Sequence, residues 1–130
     1  MFGQSQIAVV DDDASFRDSM RRLLKSLGCA VADFPSAAEF LASPQLDLAQ
    51  CLVADIHMPA MTGVQLYERL LATGHAIPTI LVTAYPNDGV RKRMLAMGVD
   101  CYLPKPLEES VLIDCLRSAV ARGKALRGLP

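Results

Sequence analysis

Short, continuously apolar runs alternate along this chain with longer stretches in which apolar residues recur every three or four positions. The first run, residues 7–10, is mostly β-branched and stops at three consecutive aspartates, residues 11–13. A continuous apolar run of this length is typical of a strand buried on both faces of a sheet. The next stretch places apolar residues on one face of a helix with basic residues between them, and it ends at Gly28.

The same alternation continues and predicts ten elements. Strands are predicted over residues 7–10, 29–34, 51–54, 79–82 and 101–103, and helices over residues 14–27, 37–41, 64–72, 87–97 and 107–122. Ser36, with Glu39 three residues later, forms a capping box at the second helix. Because helices usually connect parallel strands, the pattern predicts an α/β fold, a three-layer α/β/α sandwich around a five-stranded parallel sheet. The expected order is the doubly wound, flavodoxin-like 2-1-3-4-5.

Composition favours one globular domain without a strong charge preference for its partners. The 130 residues are 52% hydrophobic, which is enough for a buried core, and the formal net charge is only -1. That balance argues against attraction to nucleic acid or to an anionic membrane surface. The sequence shows no signal peptide or membrane span, so we expect a cytoplasmic protein. The expected domain covers residues 1–123, followed by a loose tail or linker over residues 124–130.

Four cysteines lie in apolar surroundings, and none of them belongs to a C-x-x-C pair. They are Cys29, Cys51, Cys101 and Cys115. We predict buried free thiols in a reducing compartment, rather than disulfides or a metal site, because cysteine is among the residue types most often buried. His57 and His75 have no companion at ligand spacing, which argues against a zinc site.

Acidic residues follow two of the predicted strands. Asp11 and Asp12 come after the first strand, and Asp55 ends the third. In an open parallel sheet of the predicted order, ligands bind beyond the carboxyl ends of strands 1 and 3, where the strand order reverses. Three carboxylates at one point repel one another unless a cation lies among them, and oxygen ligands suit Mg²⁺. The pattern therefore predicts a magnesium site.

A hydroxyl and an ammonium are predicted at the same edge of the sheet. Thr83 ends the fourth strand, and Lys105 follows the fifth. A carboxylate nucleophile, a divalent cation, a hydroxyl donor and an ammonium together favour transfer of a phosphoryl group to Asp55. Each residue alone has an ordinary structural interpretation as a helix cap or turn residue, and Asp13 is expected to cap the first helix. The specific signal is the combination of all four groups at strand ends.

Four segments resemble the receiver domains of bacterial response regulators. They are VVDDD at residues 9–13, DIHMPAMTG at 55–63, VTAY at 82–85 and YLPKP at 102–106. The resemblance extends over essentially the whole chain and is strongest to receivers of the nitrogen-fixation regulator type. Such receivers often precede a DNA-binding helix-turn-helix domain. The resemblance thus implies regulation of transcription through an output domain that is absent from these 130 residues.

The resemblance also implies a role for each residue at the predicted edge. The expected ligands of Mg²⁺ are Asp11, Asp12, Asp55 and the backbone carbonyl of His57. Asp12 is the expected direct ligand of the acidic pair, with Asp11 acting through water. Asp55 is the expected phosphoacceptor, Thr83 the switch hydroxyl, and Lys105 the lysine that contacts the phosphoryl group.

The implied function is that of a phosphorylation switch rather than an ordinary enzyme. A histidine kinase, or a small acyl phosphate, donates the phosphoryl group. Thr83 and the aromatic switch residue Tyr102 then transmit the change to a surface that meets a partner or a second copy of the chain. That surface consists of the predicted helix 87–97, strand 101–103 and helix 107–122. No direct binding of nucleic acid by this domain is implied.

Some positions near Lys105 and Asp55 extend or depart from the family pattern. The peptide bond between Lys105 and Pro106 resembles a cis bond of the family. Pro104 removes a backbone donor and is expected to stiffen or distort the approach of the lysine. His57 and Tyr85 occupy positions that influence how long the phosphoryl group survives in this family.

Two alternative functions fit parts of the pattern. Asp11-x-Asp13 after a strand, followed by Thr83 and Lys105, imitates the motif order of phosphatases of the haloacid dehalogenase class, although their late acidic pair is missing. A degenerate receiver that binds partners without being phosphorylated is the second alternative. A phosphoryl group on Asp11 would favour the phosphatase, and the absence of any phosphoryl group would favour the degenerate receiver.

Overall fold

The computed structural model describes residues 2–126, and its strands and helices alternate as the sequence predicts. The strands are β1 (Gln6–Val10), β2 (Ala30–Phe34), β3 (Cys51–Asp55), β4 (Thr79–Thr83) and β5 (Cys101–Pro104). The helices are α1 (Ala14–Ser26), α2 (Ala37–Leu41), α3 (Gln45–Leu48), α4 (Gly63–Ala72), α5 (Asp88–Ala96) and α6 (Glu109–Leu126). All strand pairs are parallel and the order is β2-β1-β3-β4-β5, so the predicted fold class and strand order are confirmed.

The sheet separates two apolar cores, because successive side chains along each strand point to opposite faces. On one face, Val9, Val53 and Val82 pack with side chains of α1 and α6. On the other face, Val10 and Ala54 belong to a core that includes side chains of α2, α4 and α5. The inner strands β1, β3 and β4 are almost entirely buried, which explains their continuous apolar runs.

Side-chain caps begin four of the helices. Asp13 accepts backbone hydrogen bonds at the start of α1, as predicted. At α2, Ser36 accepts from the Glu39 N–H, which is one half of the predicted capping box. Thr62 and Gln65 form a reciprocal capping box at α4, and Asn87 caps α5. Each such oxygen satisfies a backbone N–H that has no partner within the helix. The helix starts are therefore encoded locally.

Within residues 2–126, α3 is the element that the sequence pattern did not predict. It has four residues, none of them buried, and its N-cap Pro44 makes no capping hydrogen bond through its side chain. A single turn without a buried face shows no hydrophobic period. The pattern therefore contained no signal for it.

α6 continues past the predicted end of the domain. Gly123 is buried, and a Cβ at this position would lie 2.2 Å from the backbone oxygen of Gln50. Arg122 binds the Asp100 carboxylate with two hydrogen bonds, which further fixes the helix to the sheet. Neither α6 nor any other helix within residues 2–126 is long and apolar enough to cross a membrane. Of the predicted tail, 127–130 lies outside the described residues, and the boundary at residue 123 stays a prediction.

The cysteines divide into two pairs, which corrects the prediction of four free thiols. Cys29 and Cys51 are free and buried, and burial raises the pKa of both thiols. Cys101 and Cys115 instead form a disulfide, with their Cα atoms 6.3 Å apart. The prediction was wrong for this pair because an apolar context indicates burial but does not show which helix packs beside an edge strand. α6 lies over β3 and β4 and places Cys115 beside the same apolar cluster as Cys101 of the neighbouring β5, which brings the two residues together.

Candidate functional site

Three carboxylates converge beyond the carboxyl ends of β1 and β3. Asp11, Asp12 and Asp55 each place one carboxylate oxygen within 4.8 Å of the others. β1 and β3 are neighbours, whereas β2 and β4 lie on their outer sides, so the strand order reverses between them. Side chains that follow strands at such a point gather around one crevice. The structure thus brings together the acidic side chains that the sequence predicted for a metal site.

Burial and repulsion between like charges make this cluster costly. Asp11 is fully buried and Asp55 is 5% exposed, whereas Asp12 is exposed. Burial raises the pKa of Asp55 above its ordinary value, and the charge of Asp11 raises it further, while Lys105 partly opposes both effects. A divalent cation would relieve the repulsion, so this set of oxygen donors could hold a metal ion.

Lys105 lies between the two buried carboxylates. Its Nζ is 2.8 Å from Oδ2 of Asp11 and 3.4 Å from Oδ1 of Asp55. Burial alone would lower the pKa of this ammonium, but the hydrogen bond to Asp11 and the charges of both carboxylates leave it raised. These two distances place the ammonium inside the acidic pocket and not on the surface beside it. The peptide bond that follows, between Lys105 and Pro106, is cis.

Pro104 does not keep Lys105 from the site. The Lys105 N–H donates to the Thr83 carbonyl at 2.8 Å, so the nitrogen one residue earlier faces the open edge of the sheet. A proline at such an edge position removes no hydrogen bond between β4 and β5. Lys105 reaches both Asp11 and Asp55 beyond this proline, and an effect of Pro104 on the lysine's approach stays a prediction.

Thr83 and Tyr102 are buried in β4 and β5. The Thr83 hydroxyl oxygen accepts a hydrogen bond from the Tyr85 N–H at 3.0 Å. Thr83 lies one residue beyond the β4 position that pairs with Asp55. The Tyr102 hydroxyl accepts a hydrogen bond from the N–H of Asn87, the cap of α5, at 3.0 Å. Tyr102 therefore connects β5 directly to the start of α5.

The rings of His57 and Tyr85 pack edge to face, with centroids 5.3 Å apart and planes at 82°. His57 lies two residues after Asp55, and Tyr85 lies two residues after Thr83. The pair therefore joins the loops that follow β3 and β4. Both side chains are exposed. The role of the His57 carbonyl as a metal ligand stays a prediction.

Two residues of α1 contact the site, although the sequence assigned them no role in it. Arg17 donates from Nη1 to the Asp11 carbonyl at 2.6 Å, and its Nε is 3.3 Å from Oδ2 of Asp33. Nζ of Lys105 lies over the Phe16 ring, 4.1 Å from its centroid. The sequence pattern indicates only that both residues belong to an amphipathic helix. Their position in the turn after the helix cap could have indicated that they lie near the acidic residues.

Gly63 allows α4 to begin directly against the backbone of Asp55. A Cβ at this position would lie 2.4 Å from the Asp55 carbonyl oxygen, so the backbone would have to shift. We expect Gly63→Ala to lower the free energy of unfolding, measured in urea, by about 1–3 kcal/mol through overpacking. Gly89→Ala is the matched control, because its Cβ would meet only the Asn87 side chain, at 3.3 Å. Equal stability of the two variants would contradict this interpretation.

Comparison with known proteins gives one family. Residues 7–117 match the sequence profile of the response regulator receiver domain. The chain is 33% identical over 125 residues to the transcriptional regulatory protein FixJ of Bradyrhizobium diazoefficiens, covering 95% of this chain and 60% of FixJ. The solved response regulator StyR has a TM-score of 0.89 at 35% identity, covering 96% of this chain and 63% of StyR. A receiver protein from Burkholderia phymatum has a TM-score of 0.76 at 36% identity, covering 90% of this chain and 95% of that chain.

Several of these relatives are longer than the present chain. The chain spans 53% of the nodulation protein W of Bradyrhizobium diazoefficiens, with 32% identity over 121 residues and 93% of this chain covered. Its coverage of FixJ, 60%, is similar. The similarity therefore concerns one region of these longer regulators.

Proposed function

This chain belongs to the family of response regulator receiver domains, and from that membership we propose that it accepts a phosphoryl group on Asp55 with Mg²⁺ bound beside it. Receiver domains are signalling domains of two-component systems and interact with histidine kinases. The proposed donor is therefore the phosphohistidine of a kinase, for which a small acyl phosphate can substitute. Hydrolysis of the aspartyl phosphate resets the cycle.

The observation that carries this proposal is an ammonium placed among three converging carboxylates. Both oxygens of Asp11 are engaged, one by the Asp13 N–H at 2.9 Å and the other by Lys105 at 2.8 Å. Asp55 makes the longer contact with Lys105, at 3.4 Å, and is the less committed of the two buried carboxylates. Asp12 is exposed, which suits a metal ligand in contact with water. Asp55 is therefore the favoured nucleophile.

The donor set fits Mg²⁺, which prefers oxygen ligands and retains several waters. Asp11, Asp12 and Asp55 would hold it, and the His57 carbonyl is the further proposed ligand. When bound, Mg²⁺ would neutralise negative charge on the carboxylates and on the incoming phosphoryl oxygens. Burial and the charge of Asp11 both disfavour an ionised Asp55, and a bound cation would offset these effects.

In the proposed transfer, a carboxylate oxygen of Asp55 attacks phosphorus while the bond from phosphorus to the imidazole nitrogen breaks. The electron pair of that bond stays on the imidazole, and the product is an aspartyl phosphate. Lys105 exchanges its contact with Asp55 for contacts with phosphoryl oxygens. The Thr83 oxygen accepts from the Tyr85 N–H, and no group among residues 2–126 takes its hydroxyl proton, which can turn to the phosphoryl group.

Two observations disfavour the phosphatase alternative. That motif order needs Asp13 in the site, but the Asp13 carboxylate accepts a hydrogen bond from the Ser15 N–H at 2.9 Å and caps α1. It also needs Asp11 as the nucleophile, and Asp11 is fully buried and paired with Lys105. The positions of Asp11 and Asp13 therefore fit phosphoryl transfer to Asp55 better than they fit the phosphatase.

Incubation with acetyl phosphate and Mg²⁺ tests the proposed function. We expect intact-protein mass spectrometry to show one added phosphoryl group only when Mg²⁺ is present. Borohydride reduction and peptide mapping should locate it on Asp55. A label on Asp11 would favour the phosphatase instead. No label from acetyl phosphate or from a phosphorylated kinase would favour a receiver that acts without phosphorylation.

We propose that phosphorylation of Asp55 changes the surface formed by α5, β5 and α6, which then binds a partner. Tyr102 pairs with Leu81 in the sheet, two residues before Thr83, so Thr83 and Tyr102 lie on the same face. A turn of the Thr83 hydroxyl toward a phosphoryl group would change the packing beside Tyr102. Because Tyr102 holds the N–H of Asn87, such a change would reach the start of α5.

Tyr102→Phe removes this connection and leaves the ring in place. We expect a loss of about 1 kcal/mol in the free energy of unfolding, because one hydrogen bond is lost. Hydrogen exchange should become faster at the start of α5. Tyr85→Phe is the control, because it removes the same hydroxyl group from a side chain that is 72% exposed. Unchanged exchange in Tyr102→Phe would separate Tyr102 from the proposed route.

Other parts of the proposal concern partners and location. A second copy of the chain is a proposed partner of the α5, β5 and α6 surface, and no direct binding of nucleic acid by this domain is proposed. A cytoplasmic location is part of the proposal. The proposed domain spans residues 1–123. His57 and Tyr85, whose rings are in contact, are proposed to influence the lifetime of the phosphoryl group.

A further inference from the structure

Lys105 has a third neighbour besides its two carboxylates. Its Nζ lies over the face of the Phe16 ring, 4.1 Å from the centroid. We propose that Phe16 is a positioning residue, whose ring face holds the Lys105 ammonium where it can meet the phosphoryl group on Asp55. This inference rests on the proposed function, because it concerns the lysine that the transfer uses.

The electrostatics of the contact favour such a role. The face of an aromatic ring carries partial negative charge, and a cation within about 6 Å of its centroid is attracted to it. The Lys105 side chain is 19% exposed, so water weakens this attraction less than at an open surface. On the same side, Phe16, Met20, Leu107 and Leu112 line a cavity beside the lysine. The cation thus meets the ring at the wall of a largely apolar recess.

The ring face differs from the carboxylates in how it binds the ammonium. A carboxylate holds an ammonium through directional hydrogen bonds, whereas a ring face attracts it without taking any of its donors. During transfer, Lys105 must give up its contact with Asp55 and find phosphoryl oxygens. Phe16 attracts the cation throughout this exchange without occupying an N–H group, so the donor that leaves Asp55 is free for a phosphoryl oxygen while the hydrogen bond to Asp11 is kept. We therefore expect Asp55 to be phosphorylated faster in the wild type than in a variant that lacks the Phe16 ring.

The ring is held firmly with respect to the site. Phe16 lies in the first turn of α1, whose start is capped by Asp13. The next residue, Arg17, donates to the Asp11 carbonyl at 2.6 Å and contacts Asp33. These contacts fix the first turn of the helix against the end of β1. The helix turn that carries Phe16 is therefore anchored to the loop that carries the acidic pair.

Fluorinated phenylalanines incorporated at residue 16 test the proposal. Fluorine withdraws charge from the ring face and changes the shape of the ring little, so it weakens the attraction stepwise. We expect the rate of phosphorylation by acetyl phosphate at saturating Mg²⁺ to fall with each added fluorine. Phe16→Leu should be slower by about tenfold, and Phe16→Trp should restore the rate. The same fluorinated residues at Phe40, which is buried in the opposite core, are the control and should leave the rate unchanged.

A spectroscopic measurement separates positioning from packing. Protons of Lys105 next to Nζ should show an upfield ring-current shift in the wild type that is lost in Phe16→Leu. If wild-type protein is labelled on Asp55 but its rate is constant across the fluorinated series, Phe16 is only a packing residue and the inference is overturned. If wild-type protein is not labelled at all, the proposed function fails. In that case the ring-current shift decides by itself whether Phe16 holds the ammonium.

Discussion

Asp55→Asn is expected to abolish phosphorylation by acetyl phosphate or by a histidine kinase, leaving no label above background. The amide has nearly the shape of the carboxylate but lacks the anionic oxygen that attacks phosphorus. Because Asp55 is 5% exposed at the end of the fully buried β3, a change that conserves shape should preserve the packing. Phosphate-affinity electrophoresis at equal donor and Mg²⁺ concentrations measures the loss.

The same variant is expected to be more stable than the wild type at neutral pH without Mg²⁺. Burial and the charge of Asp11 raise the pKa of Asp55 in the folded state above the ordinary value of 3.8. The wild type therefore loses stability as the pH rises from that value through the higher folded pKa, and the loss persists above it. Below pH 3.8 the Asp55 side chain is protonated in both the folded and the unfolded wild type. The difference in stability between the wild type and Asp55→Asn should therefore disappear there. Urea unfolding of both proteins, below pH 3.8 and at neutral pH, measures the difference in stability under each condition.

Two outcomes would contradict these expectations. Labelling of Asp55→Asn at the wild-type level would mean that another residue accepts the phosphoryl group, and peptide mapping would identify it. Lower stability of the variant at neutral pH would mean that the contact between Asp55 and Lys105 outweighs burial and repulsion. Circular dichroism of the variant establishes that the fold is retained.

Asp12→Asn is expected to weaken Mg²⁺ binding on the order of 100-fold, the upper end of the losses seen when residues that support a metal site are removed. Asp12 is exposed, so the variant should keep the fold and the stability of the wild type. Phosphorylation at low Mg²⁺ concentrations should fall in parallel with Mg²⁺ affinity and recover at high concentrations. Isothermal titration calorimetry measures the affinity directly.

The neighbouring acidic residue provides a matched control for this experiment. Asp13→Asn makes the same change of charge one residue away, and asparagine caps a helix about as well as aspartate does. Its side chain serves the start of α1 and not the cluster of carboxylates. Equal loss of Mg²⁺ affinity in Asp12→Asn and Asp13→Asn would indicate a general effect of net charge, and Asp12 would then not be a ligand.

The alternation of strands and helices was accessible from the sequence because it depends on local periodicity. The inner strands are buried on both faces and therefore appear as continuous apolar runs, whereas α1 shows the period of a half-buried helix. Caps such as Asp13 and Ser36 are equally local. α3 was missed because its single turn has no buried face.

The candidate site was predicted in part for a related reason. In a parallel sheet the strand ends share one edge, so residues that directly follow strands can be placed together before any coordinates are known. This reasoning brought Asp11, Asp12 and Asp55 to one point, as the structure has them. It could not show that Lys105 lies between two of them, since that depends on how far β5 extends and how its side chain crosses the pocket.

By itself the sequence determined the fold class, the strand order expected for it and the residues at the acidic edge. Tertiary structure alone decided which side chains from distant segments meet there. The Phe16 contact with Lys105, the disulfide between Cys101 and Cys115, and the close approach of Gly63 to Asp55 all belong to this second class. Periodicity reports whether a side chain is buried, but the identity of its neighbour depends on how helices pack on the sheet, a relation between residues far apart in the chain.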